Sequence, residues 1–152
     1  MDTLSLTANK RVVTAFLAAL NDRRPADLPA YMAPDVVDHN KIIHGEADEP
    51  GAAFDGFQRQ LDAFGSLEMV SEELIAEDDR VVARLTVRGV HTGAHPRMPE
   101  PTLRAFEVEQ IWVFTLVHGR IAEIRAVSDR LGMFSQLGWD WPEAGAPAVI
   151  RN

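Results

Sequence analysis

The chain has 152 residues, of which 46% are hydrophobic and 25% charged, and its formal net charge is −8. This length and composition are typical of one globular domain, whereas the negative charge disfavours nucleic acid and anionic membrane surfaces as partners. The absence of cysteine excludes disulfides, thiolate nucleophiles and cysteine-ligated metal sites.

The first half of the chain has the spacing of helices. Apolar residues recur every three or four positions from Val12 to Leu20, which predicts a first helix ending near Asn21. Pro25 predicts the start of a short second helix that runs through Met32. A short strand, VVDHN, follows. A third helix, which Asp48 is expected to cap, carries one apolar stripe: Phe54, Phe57, Leu61 and Phe64.

Charges interrupt the apolar pattern at the N-terminus, so the sequence predicts neither a secretory signal nor a membrane span. Together with the missing cysteines, this favours a cytoplasmic protein.

The second half of the chain alternates between apolar and polar residues. Four strands are predicted, over residues 67–77, 80–91, 103–117 and 120–128. Helices followed by antiparallel strands indicate an α+β domain, in which a curved sheet carries helices on one face. We expect residues 1–138 to form this single domain and residues 139–152 to form a loosely ordered tail.

The last two strands give a first estimate of which side chains meet. If His118 and Gly119 form a two-residue turn, Asp129 lies opposite Val108 and Arg125 lies opposite Trp112. Both would then share the apolar face of the sheet. His91 is expected at the same end, where Gly89 leaves room for a ligand. On the outer face, Arg84 and Arg88 should pair with Glu107 and Glu109, in a surface suited to a dimer interface or to solvent.

Asp129 is the principal candidate for chemistry. It stands where an apolar strand gives way to a short helix, and a carboxyl group at the mouth of an apolar cavity can shuttle a proton. The alternative is that Asp129 only caps the helix.

Several segments together resemble one protein family: KRVVTAFLAALN, APDVVDHN, AAFDGFQRQLDAFGSLE, DDRVVARLTVRGVHTG and GRIAEIRAVSDRLGMFSQLG. Across about residues 9–138, the chain is similar to SnoaL-like polyketide cyclases, or ester cyclases, of the nuclear transport factor 2-like superfamily. The resemblance implies a cone-shaped half-barrel, with three N-terminal helices on the concave face of a mostly antiparallel sheet. It also implies aldol closure of a polyketide ring without a cofactor.

The resemblance also assigns roles to particular residues. It implies that Asp129 is the acid/base group and that His39 and His91 are the pocket histidines, although each histidine could equally be a core or sealing residue. Asn40 is expected to bind substrate or to shape a turn. We predict that the cavity is lined by further residues, several of which could instead be plain core: Tyr31, Phe54, Phe57, Phe64, Phe106, Val108, Gln110, Trp112 and Arg125.

Arg125 stands where relatives often have Trp. Facing inward, it would stack on Trp112 or bind a substrate carboxylate or enolate; a wrong turn assumption would place it outside.

The sequence therefore predicts a cofactor-independent acid/base catalyst that acts on a small carbonyl substrate, most simply by aldol cyclisation of a polyketide ester. Other chemistry on the same scaffold, such as hydration, dehydration, epoxide opening or assistance in hydroxylation, is one alternative, and a non-catalytic binding module is another. A metal site is not expected, because the His39/His44 and His91/His95 pairs fall in strands and loops, where such spacing does not converge. We expect a homodimer or homotetramer.

Overall fold

Tight turns join the long strands where the residue pattern predicts them. His118 and Gly119 both have positive φ, at 50° and 75°, as a type I′ hairpin turn requires. Asp78, in the turn that precedes the strand starting at Arg80, has a φ of 51°. These turns place consecutive strands side by side and antiparallel.

A computed structural model describes residues 3–40 and 49–139. The helices are α1 (Thr3–Asn21), a 3-10 helix (Pro25–Ala30), α2 (Ala53–Ala63) and α3 (Arg130–Gln136). The strands are β1 (Met32–Asp38), β2 (Phe64–Glu77), β3 (Arg80–His91), β4 (Ala105–Val117) and β5 (Arg120–Ser128). They form one sheet in the order β1-β5-β4-β3-β2, in which only the pair β1 and β5 is parallel. The predicted α+β class, with a curved and mostly antiparallel sheet, is confirmed.

The helices differ from the prediction mainly in their ends. The second helix is a 3-10 helix with Pro29 inside it, so Tyr31 follows it and Met32 already begins β1. Proline has no N–H to donate, and a short 3-10 turn tolerates it better than an α-helix would. The third helix begins at Ala53, and its expected cap, Asp48, lies outside the described residues.

The core lies between α1, α2 and the concave face of the sheet. Phe16 of α1 contacts Phe57 of α2 and Phe114 of β4 edge to face, at ring-centroid distances of 5.3 and 5.7 Å. All three rings are buried. Such pairs add about 0.5–1.5 kcal/mol beyond the area that they bury. No helix in the described part of the chain is long and apolar enough to cross a membrane.

A β-bulge in β5 changes the register that the hairpin sets. Leu116 pairs with Ile121 as expected, but Thr115 pairs with Glu123, so Ala122 has no partner across the strands. Because side chains alternate between faces, one extra residue moves all later positions to the opposite face. Beyond the bulge, Trp112 lies opposite Ala126 rather than Arg125.

The outer face of the sheet carries the predicted ion pairs. Arg84 lies 3.6 Å from Glu109, and Arg88 lies 3.7 Å from Glu107. Each arginine also reaches a glutamate of β2. These partners are more than 40% exposed, so each pair stabilises the fold by about 1 kcal/mol at most.

Candidate functional site

A cavity opens between the concave face of the sheet and the elements packed on it. Its empty volume is about 620 Å³, counted with the part that is open to solvent. Its apolar walls come from all the long strands and from α3: Phe64, Leu67, Met69, Val87, Phe106, Trp112, Ile124, Ala126 and Met133.

Seven polar or charged residues also line this cavity, and their side chains supply both donors and acceptors: Asp38, Asn40, Gln60, His95, Gln110, Ser128 and Arg130. In the described part of the chain, Asp38 is the one carboxylate among them. An apolar cavity with a few convergent polar groups is the usual form of a ligand site.

Asp38 is the last residue of β1, and 5% of it is exposed. Its Oδ1 accepts a hydrogen bond from the backbone N–H of Asn40 at 2.8 Å. The side-chain amide of Asn40, oriented so that both of its groups are satisfied, donates to Ala126 O at 2.8 Å and accepts from Ala126 N–H at 2.7 Å. These bonds join the end of β1 to β5 and fix the carboxylate at the cavity.

Gln110 is held in a defined orientation by its neighbour on β4. The indole Nε1–H of Trp112 donates to Gln110 Oε1 at 2.7 Å. Because an indole nitrogen only donates, the amide oxygen must face it. The amide N–H groups of Gln110 are therefore directed away from Trp112. Phe57 stacks on the indole at 6.0 Å and supports it.

His95 lies in the loop between β3 and β4, and 5% of it is exposed. Its Nδ1 accepts a hydrogen bond from the backbone N–H of Arg97 at 3.0 Å. Burial, and then the neighbouring charges of His91 and Arg97, lower the pKa of His95 from 6.5 to about 4. The imidazole is therefore neutral at neutral pH.

His91 is buried, but it does not line the cavity. Its Nδ1 accepts the backbone N–H of Thr102 at 3.1 Å, and its Nε2 has no partner among the described residues. The expected ligand space at Gly89 is filled, because a Cβ there would meet a ring carbon of Phe106 at 3.2 Å. His91 thus anchors the loop after β3 and lies outside the lining of the cavity.

The expectation that Asp129 lies in the cavity is wrong. The bulge at Ala122 turns it away, so that its backbone faces Glu109 instead of Val108. Asp129 is exposed, and its Oδ1 accepts the backbone N–H of Gly132 at 2.8 Å. A Cβ at Gly132 would lie 2.1 Å from Asp129 Oδ2, so the cap requires glycine there. The alternative role, a helix cap, matches this geometry.

His39 and Arg125 also lie outside the cavity. His39 is exposed and its Nε2 lies 3.1 Å from Glu123 Oε2, while its backbone N–H bonds to Ile124 O. Arg125 is exposed on the outer face, as the bulge dictates. A different arginine, Arg130, is among the residues that line the cavity.

Half of the predicted substrate-binding residues do line the cavity: Asn40, Phe64, Phe106, Gln110 and Trp112. The others do not: Tyr31 and Phe54 pack half-buried against the core, Phe57 and Val108 are buried in it, and Arg125 is exposed. The sequence analysis missed Asp38, His95 and Arg130. Alternation along β1 places Asp38 on the same face as the buried Val36, and this is the signal that could have identified Asp38.

In residues 3–40 and 49–139, no three His, Cys, Asp or Glu side chains are grouped so as to hold a metal ion. His44, one of the residues considered for such a site, lies outside the described residues.

Comparison with known proteins identifies relatives along most of the chain. A family model described as SnoaL-like polyketide cyclase matches residues 10–137. The chain is 33% identical over 129 residues to nogalonic acid methyl ester cyclase of Streptomyces nogalater, covering 84% of this chain and 95% of that protein. It is 34% identical over 114 residues to an aklanonic acid methyl ester cyclase of Streptomyces peucetius, covering 74% of each.

Solved structures share the same architecture. TsrD of Streptomyces laurentii superposes with a TM-score of 0.77 at 25% identity, over 91% of this chain and 98% of that one. IdmH of Streptomyces antibioticus superposes with a TM-score of 0.70 at 26% identity, over 86% and 99%.

Proposed function

The chain belongs to the SnoaL-like polyketide cyclase family, and on this basis we propose that it catalyses the intramolecular aldol cyclisation of a polyketide ester. The relatives named as methyl ester cyclases support the reaction class. The observation that carries the mechanism is the buried carboxylate of Asp38 in the wall of an otherwise largely apolar cavity.

We assign to Asp38 the acid/base role that the resemblance had given to Asp129. Asp38 removes a proton from a substrate carbon that two carbonyl groups acidify, which leaves an enolate. The enolate carbon attacks a ketone of the same molecule and forms the new carbon–carbon bond. The resulting alkoxide takes the proton back from Asp38, so the product is an isomer of the substrate. One positioned acid/base group accelerates such a reaction by roughly 10²–10⁴-fold.

The other polar groups of the cavity position the substrate. Gln110, whose oxygen is held by Trp112, offers its amide N–H groups to a substrate carbonyl. Arg130 supplies the cationic group that was expected at Arg125, and it can bind an ionised phenol or carboxylate on the substrate. The apolar walls keep water from the enolate, and this strengthens each of these interactions.

Product analysis tests the reaction type. The purified chain is incubated with nogalonic acid methyl ester, the compound in the name of its relative. The products are separated, and their masses are measured by mass spectrometry. A cyclised isomer of unchanged mass is the expected product. Gain or loss of one water would indicate hydratase or dehydratase chemistry, and unchanged substrate that nevertheless binds would indicate a binding module; either outcome refutes the proposal.

A further inference from the structure

His95 is fixed more firmly than a loop residue usually is. Its backbone forms a two-way bridge with Met98, with N–O distances of 3.1 and 3.0 Å. Its ring lies 5.6 Å from the ring of Phe64 and 5.6 Å from that of Phe134. Together with the bond from Arg97 N–H to Nδ1, these contacts leave the imidazole little freedom to turn.

The same contacts determine which ring nitrogen carries the proton. Nδ1 accepts a backbone N–H, so it cannot itself be protonated in this arrangement. A neutral imidazole then carries its hydrogen on Nε2. Nε2 lies on the edge of the ring that is turned away from Arg97, and none of the described residues accepts a hydrogen bond from it. The ring lines the cavity, where a ligand oxygen can serve as the acceptor.

We propose that His95 donates a hydrogen bond through Nε2–H to the substrate oxygen on which negative charge develops when Asp38 removes the proton. This inference rests on the proposed function, because it concerns the same cavity and the same enolate. A donor that is already fixed and shielded from water needs no reorganisation during the reaction, which is what makes such groups effective. The resemblance had instead implied that His39 and His91 are the pocket histidines, and neither of them lines the cavity.

Two substitutions distinguish a hydrogen-bond donor role of His95 from a packing role. His95→Gln keeps an N–H donor close to the position of Nε2, whereas His95→Phe keeps a ring between Phe64 and Phe134 but has no donor. If His95 were only a packing residue, Phe would be the better replacement. If it is a donor, Gln is the better one.

The experiment measures binding of 1,8-dihydroxyanthraquinone, a flat polyphenol whose ionised hydroxyl resembles an enolate and absorbs differently from the neutral form. We expect the wild type and His95→Gln to bind the ionised form preferentially. His95→Phe should bind that form about 10- to 100-fold more weakly, the effect of one hydrogen bond to a charged group, and should lose a similar factor in kcat on the polyketide ester. Equal affinity of the wild type and His95→Phe for the ionised form would overturn the proposal.

A second measurement needs no variant. Nitrogen NMR of the labelled wild type distinguishes a protonated ring nitrogen from an unprotonated one. We expect an unprotonated Nδ1 and a protonated Nε2 in His95, and a shift of the Nε2–H signal when the anthraquinone binds. A proton on Nδ1, or an Nε2–H signal that ligand leaves unchanged, would refute the inference. If the proposed function is wrong but the role of His95 is right, a different result is expected. The wild type would then bind the ionised probe in preference to the neutral one, without cyclising any ester.

Discussion

The neutral His95 should make the fold sensitive to acid, and the size of the effect follows from its environment. Burial and the neighbouring His91 and Arg97 lower the pKa of His95 to about 4, whereas in the unfolded chain it lies near 6.5. As the pH falls below 6.5, the unfolded chain binds the proton first, so the folded state loses stability until the pH reaches about 4. From pH 7 to pH 4.5, this linkage costs about 2 kcal/mol.

The variant His95→Gln isolates this contribution, because every other titrating group is common to both proteins. Urea unfolding of each, followed by circular dichroism at a series of pH values from 7 to 4.5, gives the free energy of unfolding. We expect the difference between the two proteins to shift by about 2 kcal/mol in favour of His95→Gln as the pH falls. Two curves that stay parallel over this range would show that His95 titrates normally, and the account of a buried neutral imidazole would then be wrong.

Three further predictions concern residues around the cavity and its supports. Asp129→Ala should lower the free energy of unfolding by about 1 kcal/mol, because the cap of α3 is lost. Asp129→Asn keeps a capping oxygen, so its free energy of unfolding should be nearly that of the wild type. Equal losses for the two variants in urea unfolding would contradict this. Arg130→Gln should raise KM about 10-fold for an ester with an ionised phenol while kcat changes little; a fall in kcat alone would refute a binding role. Asn40→Ala should lower the free energy of unfolding by about 1–3 kcal/mol, because both backbone groups of Ala126 lose their partner. An unchanged denaturation midpoint would show that the amide does not bridge the strands.

The element pattern could be predicted from the sequence because it depends on local signals. The two hairpins, the bounds of β3 and β5 and the buried face of α1 follow from alternation, from turn residues and from helical spacing. The ion pairs of Arg84 and Arg88 followed as well, because no bulge separates β3 from β4.

The site could not be predicted as well, because it depends on the bulge at Ala122. A single extra residue has no clear signature in a strand of alternating side chains, yet it reverses the face of each later position. It places Arg125 and Asp129 outside and brings Ala126 and Ser128 to the cavity. His95 was missed for another reason, since only the folded loop brings it against Phe64.

The central claim is that the carboxylate of Asp38, and not that of Asp129, moves the proton. Asp38→Asn keeps the size of the side chain and an oxygen for the N–H of Asn40, but removes the acid/base group; Asp129→Asn is the matched control outside the cavity. With nogalonic acid methyl ester as substrate, we expect Asp38→Asn to lower kcat about 10²–10⁴-fold and Asp129→Asn to leave it within about twofold of the wild type. Full activity in Asp38→Asn, or a large loss confined to Asp129→Asn, would contradict the account.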